Sequence, residues 1–99
     1  MTTIRWTDQA VADLAAIRAF IEQDSPHYAS VVVARLIRAV DQLRDFPQSG
    51  RVVPEFKDPQ IHDIILKSYR IVYRVKSAEK VVEISRFWHG AQGAIGNLT

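Results

Sequence analysis

The chain has 99 residues, 47% of them hydrophobic and 24% charged, with a formal net charge of +2 and no cysteine. That composition supports one compact core and argues against disorder as the resting state. It leaves no disulfide framework, thiolate nucleophile or cysteine-based zinc site to propose. No basic stretch leads into an apolar run at the start, and no eighteen apolar residues stand together, so a cytoplasmic protein without a membrane segment is expected.

Charge is unevenly spread. Residues 1–50 hold five basic and six acidic side chains, residues 51–99 eight and five, so the positive excess lies in the second half. Such a region suits nucleic acid, an acidic protein, or solubility alone.

Thr3 to Trp6 alternates as a short strand, and Thr7 followed by Asp8 supplies a helix N-cap with an acid in the first turn. Val11, Leu14, Ile17 and Ile21, with Ala10 and Phe20 beside them, recur at helical spacing, which predicts a helix over about residues 8–23. Ser25 and Pro26 end that run and start a second helix, with serine as cap and proline where its missing N–H costs nothing. Ala29, Val32, Val33, Leu36, Ile37, Val40 and Leu43 form its apolar stripe, and Pro47 closes the antiparallel helical hairpin.

The segment 48–59 carries a glycine and two prolines and reads as a loop with at most an edge strand at Arg51 to Val53. Beyond it the period changes to two, predicting strands over 62–67, 69–76 and 80–88, the last two joined by a tight turn at Ser77-Ala78-Glu79. Along YRIVYRV, residues 69–75, strict alternation puts Tyr69, Ile71, Tyr73 and Val75 on one side and Arg70, Val72, Arg74 and Lys76 on the other. One face is thus expected to be core and the other an open, positive, working face. The tail 90–99 holds three of the four glycines and is expected to be mobile in isolation. The expected fold is one α+β domain over 1–99: an N-terminal strand, a helical hairpin, then a three-stranded antiparallel meander with the helices on one face.

The pieces Thr7-x-x-Ala10-x-x-Asp13-Leu14-x-x-Ile17, Leu43-x-x-Phe46-Pro47-x-x-Gly50-Arg51, Tyr69-Arg70-Ile71-x-Tyr73 and Val82-x-Ile84 leading to His89-Gly90 span almost the whole chain. In that order and spacing they resemble the RelE/ParE superfamily of bacterial toxins from type II toxin–antitoxin modules. The resemblance implies a toxin held inactive in a hetero-oligomer with a cognate antitoxin, whose partly disordered C-terminal segment folds around it. No cofactor is expected. RelE-like members cut messenger RNA in the ribosome; ParE-like members act on DNA gyrase. Fold alone does not choose between them.

Metal-free RNA cleavage through the ribose 2′-hydroxyl needs a base, an acid and cations around the phosphate, each proton carrier being worth about 10²- to 10⁴-fold. Arg70 and Arg86 are the phosphate candidates, since arginine presents an always-charged fork; Glu55, Lys57 and Lys67 precede the opening strand, and His89 stands near the end. The set Arg70, Arg86, His89 and Glu55 is catalytic only under the RelE-like reading. No tyrosine follows Tyr73, and the His89-Gly90 ending is similar to ParE-like sequences, so a gyrase poison that is not itself an enzyme is the reading adopted. A metal-independent endoribonuclease acting on ribosome-bound mRNA, and a decayed toxin that only binds its antitoxin, are the alternatives. Lys67, Arg70, Arg74, Arg86 and Trp88 are the antitoxin- or target-binding candidates, with the outer groove of the helical hairpin beside them.

Plainer roles compete for the same residues. Arg74 and Lys76 suit solvated charges that protect a strand face, Trp6 and Trp88 core or edge packing, Glu83 a cross-strand partner, Gly50 a turn, and Arg51 a contact to the carboxyl end of a helix. His27, His62 and His89 share no local metal spacing, and no Walker-type loop, His-Glu-x-x-His or nucleophile turn is present.

Overall fold

The computed structural model describes residues 2–90; the tail expectation therefore lies, beyond Gly90, outside the described residues. The elements run β1 (Thr3–Trp6), α1 (Asp8–Glu22), α2 (Pro26–Asp41), β2 (Arg51–Val52), β3 (Ile61–Leu66), β4 (Tyr69–Lys76) and β5 (Val81–His89). The five strands form one sheet in the order β1-β5-β4-β3-β2, antiparallel except for β1 beside β5. The expected meander of β3, β4 and β5 is its centre, and the helical hairpin covers one face.

Both helices start as their sequences dictate. Thr7 Oγ1 accepts from the Ala10 amide at 3.1 Å, and Ser25 Oγ from that of Tyr28, also at 3.1 Å, so each start is a side-chain cap. The two helices are packed very differently. In α2, Ala29, Val32, Val33, Leu36 and Val40 are buried, whereas in α1 only Ala10 is. Ala10, Val32, Leu36, Val40 and Leu43 close on Ile71, Tyr73, Val75, Val82, Ile84 and Phe87 to make the main core. Three members of the predicted stripes are corrected here: Val11, Phe20 and Ile37 face solvent, Phe20 at 71% exposure. Only Leu14, Ile17 and Ile21 of α1 lean on the core as partly buried side chains.

The tight turns hold two residues in left-handed backbone. Lys67 (φ 55°) turns β3 into β4, and Lys80 (φ 54°) follows the short 3₁₀ turn Ser77–Glu79 before β5. Gly50 is required by close approach rather than by turn geometry. Its amide donates to Tyr73 Oη at 2.9 Å, and a Cβ there would overlap the Asp63 carbonyl oxygen and lie 2.5 Å from that hydroxyl.

Strict alternation fails at one place in β5. Val72 lies opposite Arg86 and Tyr73 opposite Ile84, so Ser85 is an extra residue, a β-bulge. Thr7 holds the bulge by donating to the carbonyls of Ile84 at 2.9 Å and Ser85 at 3.2 Å. The consequence is a switch of faces. Ile84 and Phe87 both point into the main core, and Arg86 and Trp88 turn to the other side.

That other side corrects the open face expected from YRIVYRV. Val53, Ile61 and Val72 form a second, smaller buried cluster there, with Phe56 and Trp88 packed against it. The loop 53–60 lies over the sheet, held by Val53 N–H to Ile61 O (3.0 Å) and Val75 N–H to Gln60 O (2.8 Å).

Candidate functional site: a neutralised face and an open sheet end

The cations expected on the working face are paired with carboxylates. The Asp63 side chain is fully buried and accepts from Arg51 Nε at 2.9 Å and Arg70 Nε at 2.7 Å. Arg70 spreads the rest of its fork over Glu55, at 2.6 and 3.1 Å, and is itself only 14% exposed. Hydrogen bonding from Arg70 holds the Glu55 carboxyl below its ordinary range, and the same bond raises the already high value of Arg70. Arg51 therefore contacts Asp63 rather than a helix end, a correction to the sequence reading. Arg74 pairs with Asp58 at 2.9 Å. Glu83 does bridge strands, receiving Arg5 at 3.2 Å and Lys76 at 3.6 Å.

Arg86 is tied elsewhere. Strand β1 pairs with β5 only through Ile84, which leaves the edge of β5 uncovered from Ser85 onward. Asp13 of α1 fills that gap: its Oδ2 accepts the Phe87 amide at 3.1 Å and Arg86 Nε at 2.8 Å, while Oδ1 accepts Arg86 Nη2 at 3.1 Å. The guanidinium also sits over the Trp88 ring, 4.9 Å from its centroid. In the sequence Asp13 stands in the first-helix pattern with no partner in view. No local spacing links it to a residue 73 positions away.

The four residues named for ribonuclease chemistry are not gathered. Arg70 and Glu55 bind each other on the face away from the helices, and Arg86 is held by Asp13. The register places Arg70 opposite Trp88 and Tyr69 opposite His89, so His89 turns toward the helices, on the other side of the sheet from Arg70. Its ring meets Tyr69 edge-on, with centroids 5.0 Å apart. Among the described residues no group of three His, Asp or Glu could hold a metal ion. No helix among them is long and apolar enough to cross a membrane.

Where Tyr69 and His89 meet, the sheet ends in a concave surface on the helix side. A groove of about 410 Å³ runs between α1 and the strands, lined by Asp13, Ala16, Ile17, Phe20, Tyr69, Phe87 and His89. A smaller cavity of about 140 Å³ adjoins it across Tyr69 and His89, and reaches Tyr28 and Arg35 of α2 and Lys67 and Ser68 of the turn. The Gly90 amide donates to Ser68 O at 2.7 Å and fixes the end of β5 to that turn. Burial, and secondarily the nearby Tyr28, push the Tyr69 hydroxyl above its ordinary value, so it stays a neutral donor at neutral pH. Of the residues around this surface, only Lys67 and His89 stood among the sequence candidates. The spacing of Phe20 matches the apolar period of α1; the thin packing of that helix is what leaves it outside.

With this geometry in place, likeness to known proteins is informative. The sequence profile of the family described as ParE toxin of type II toxin-antitoxin system, parDE, matches residues 4–93. Toxin RelE2 of Caulobacter vibrioides is 36% identical over 92 residues, covering 93% of this chain and 99% of its own. The Sinorhizobium fredii protein Y4kP is 40% identical over 91 residues, 90% of this chain and 88% of its own. Among solved structures, a chain of the chromosomal ParDE system of P. aeruginosa superimposes with a TM-score of 0.73 at 26% identity, covering 90% of this chain and 96% of that one. A chain of the RelBE2 toxin–antitoxin complex of Mycobacterium tuberculosis gives 0.61 at 21% identity over 89% and 90%, a likeness of fold alone. Two helices on a mixed five-stranded sheet, matched across nine-tenths of the chain, place this protein in the ParE toxin family of type II toxin–antitoxin systems, within the RelE/ParE superfamily.

Proposed function

We propose that the protein acts as ParE-like toxins do, by binding DNA gyrase rather than by cutting RNA, and that a cognate antitoxin neutralises it in a hetero-oligomeric complex in the cytoplasm. The observation that carries this reading is the split of the would-be ribonuclease set across the sheet. A phosphodiester held by Arg70 would have His89 on the opposite side of the sheet, and the base, Glu55, is engaged by Arg70 with its proton affinity lowered. General acid–base catalysis needs its groups within hydrogen-bond reach of one reacting centre. Arg70, Arg74 and Arg86 serve, on this reading, as scaffold ties; the antitoxin docks on the groove between α1 and the end of β5, with Lys67 at its border, while Trp88 packs on the opposite side of the sheet.

Two assays on the purified full chain test this side by side: gyrase supercoiling, and a translating extract with mapped mRNA ends. Loss of supercoiling with intact messages is the expected result. Cuts in ribosome-bound mRNA, sensitive to His89→Gln, would replace the gyrase reading with the endoribonuclease one. Silence in both assays, with antitoxin binding retained, would identify a decayed toxin.

A further inference from the structure

Ion pairing of the strand cations directs attention to those left over. Arg35 and Lys67 make no ion pair among the described residues, yet they line the same cavity of about 140 Å³, together with Tyr28, Tyr69 and His89. Lys67 holds a left-handed φ of 55°, a conformation that strains any residue bearing a Cβ and that glycine adopts freely. Size limits what enters. Small-molecule sites run to about 300–1,000 Å³, so this cavity taken alone suits a single acidic side chain. Its neighbour of about 410 Å³ is walled by Ala16, Ile17, Phe20 and Phe87, an apolar track suited to a peptide and poorly suited to a polyanionic backbone.

We propose that the Arg35–Lys67 cavity is a carboxylate receptor for the partner polypeptide: apolar side chains of the partner fill the α1 groove, and an adjacent Asp or Glu enters between the two cations, accepting hydrogen bonds from them and from the Tyr28 hydroxyl. The chemistry rests on the cavity alone. Only the partner's identity as an antitoxin rests on the function proposed above.

The test pans a displayed library of random 20-residue peptides on the immobilised full-length chain, independently of any natural partner. The expected binders carry an apolar cluster next to an Asp or Glu. Changing that acid to its amide, or changing the protein by Lys67→Glu or Arg35→Glu, weakens binding at least tenfold. Lys80→Glu, at the other left-handed lysine, leaves affinity within twofold. Lys67→Gly is the second arm, because it relieves the backbone: the variant is expected to melt no lower than the parent while losing at least fivefold in peptide affinity.

Binders without acids, binders indifferent to Lys67 and Arg35, or the absence of any Lys67-dependent binder each overturn the proposal. So does Lys67-dependent binding of decauridylate in place of peptide, which would assign the cavity to nucleic acid. Concentration-dependent dimers abolished by Phe20→Ser would assign the groove to a second copy of the chain, with the same consequence. If acid-dependent binders appear while the supercoiling assay is negative, the cavity stands and the gyrase reading falls.

Discussion

The face of the sheet away from the helices and the concave end beside Lys67 both carry cations and aromatics, but they differ in what those groups are doing. On the first, Arg51 and Arg70 close on the buried Asp63, Arg70 also holds Glu55, Arg74 holds Asp58, and a loop with its own apolar cluster lies on top. On the second, Arg35 and Lys67 are without carboxylate partners among the described residues, and Phe20 is 71% exposed. A count of positive residues along a strand therefore says little about where a surface is positive. What decides is whether a carboxylate from a distant element has already occupied the guanidinium, since removing either member of a buried pair is costly.

The comparison can be broken most forcefully at Asp63. Asp63→Ala removes the buried acceptor shared by Arg51 and Arg70, though Arg51 is half exposed and Arg70 keeps Glu55, and should cost about 2–3 kcal/mol, read as a lower denaturation midpoint in urea. A loss below about 1 kcal/mol would mean that the cations on this face reach solvent after all. At Gly50 the expected effect is roughly 1–3 kcal/mol, the usual cost of forcing atoms into a packed site, because a methyl group would collide with the Asp63 carbonyl and Tyr73 Oη. Thermal melting of Gly50→Ala checks it, and an unchanged melt would show that the loop 49–53 is loosely seated.

Phe20→Ser probes the open end. Its stability should stay within about 0.5 kcal/mol of the parent, since the ring is already in water, whereas affinity for a co-purified antitoxin should fall by about 2 kcal/mol if the ring is a hot spot. Calorimetric titration measures the second quantity, and equal affinity would move the partner off this groove.

Glu55 gives a smaller, pH-dependent signal. Its folded-state value is depressed by Arg70, so the pair stabilises the protein above the ordinary glutamate range and that contribution disappears as pH falls through the depressed value. Because Glu55 is partly solvated, the contribution should be under about 1 kcal/mol. Urea midpoints of Glu55→Gln and the parent should therefore separate above the ordinary glutamate range and converge as pH falls below the depressed value; parallel curves would detach Glu55 from Arg70. The smallest effect belongs to Lys67→Gly, a gain of roughly 0.5 kcal/mol, the relief of a left-handed backbone less the added entropy of glycine.

Much of the scaffold is legible in the residues themselves, because its signals are local. Thr7 and Ser25 are caps whichever way the helices later pack, Pro26 and Pro47 bound the second helix, and the period-two runs produce β3, β4 and β5 within a residue or two of the expected ends. The order of family patterns along the chain is local information too, and it carried the family. The apolar stripe of the second helix matches its buried side chains apart from Ile37, because a helix buried on one side shows its period clearly.

Burial, pairing and sidedness belong to the tertiary structure. The Ser85 bulge changes which side of the sheet Arg86, Phe87 and Trp88 occupy, and it exists because Thr7, far away in sequence, bonds to the bulged carbonyls. Asp13 reaches Arg86 only because β1 stops at Trp6 and leaves an uncovered edge. Asp63 neutralises two arginines only once β2, β3 and β4 are side by side. A sequence determines by itself what neighbouring residues can do to one another, namely caps, turns and periodicity. Which charges are spent and which remain for a partner is fixed by contacts between distant segments, since electrostatic attraction acts through space over a few ångströms and takes no account of position along the chain.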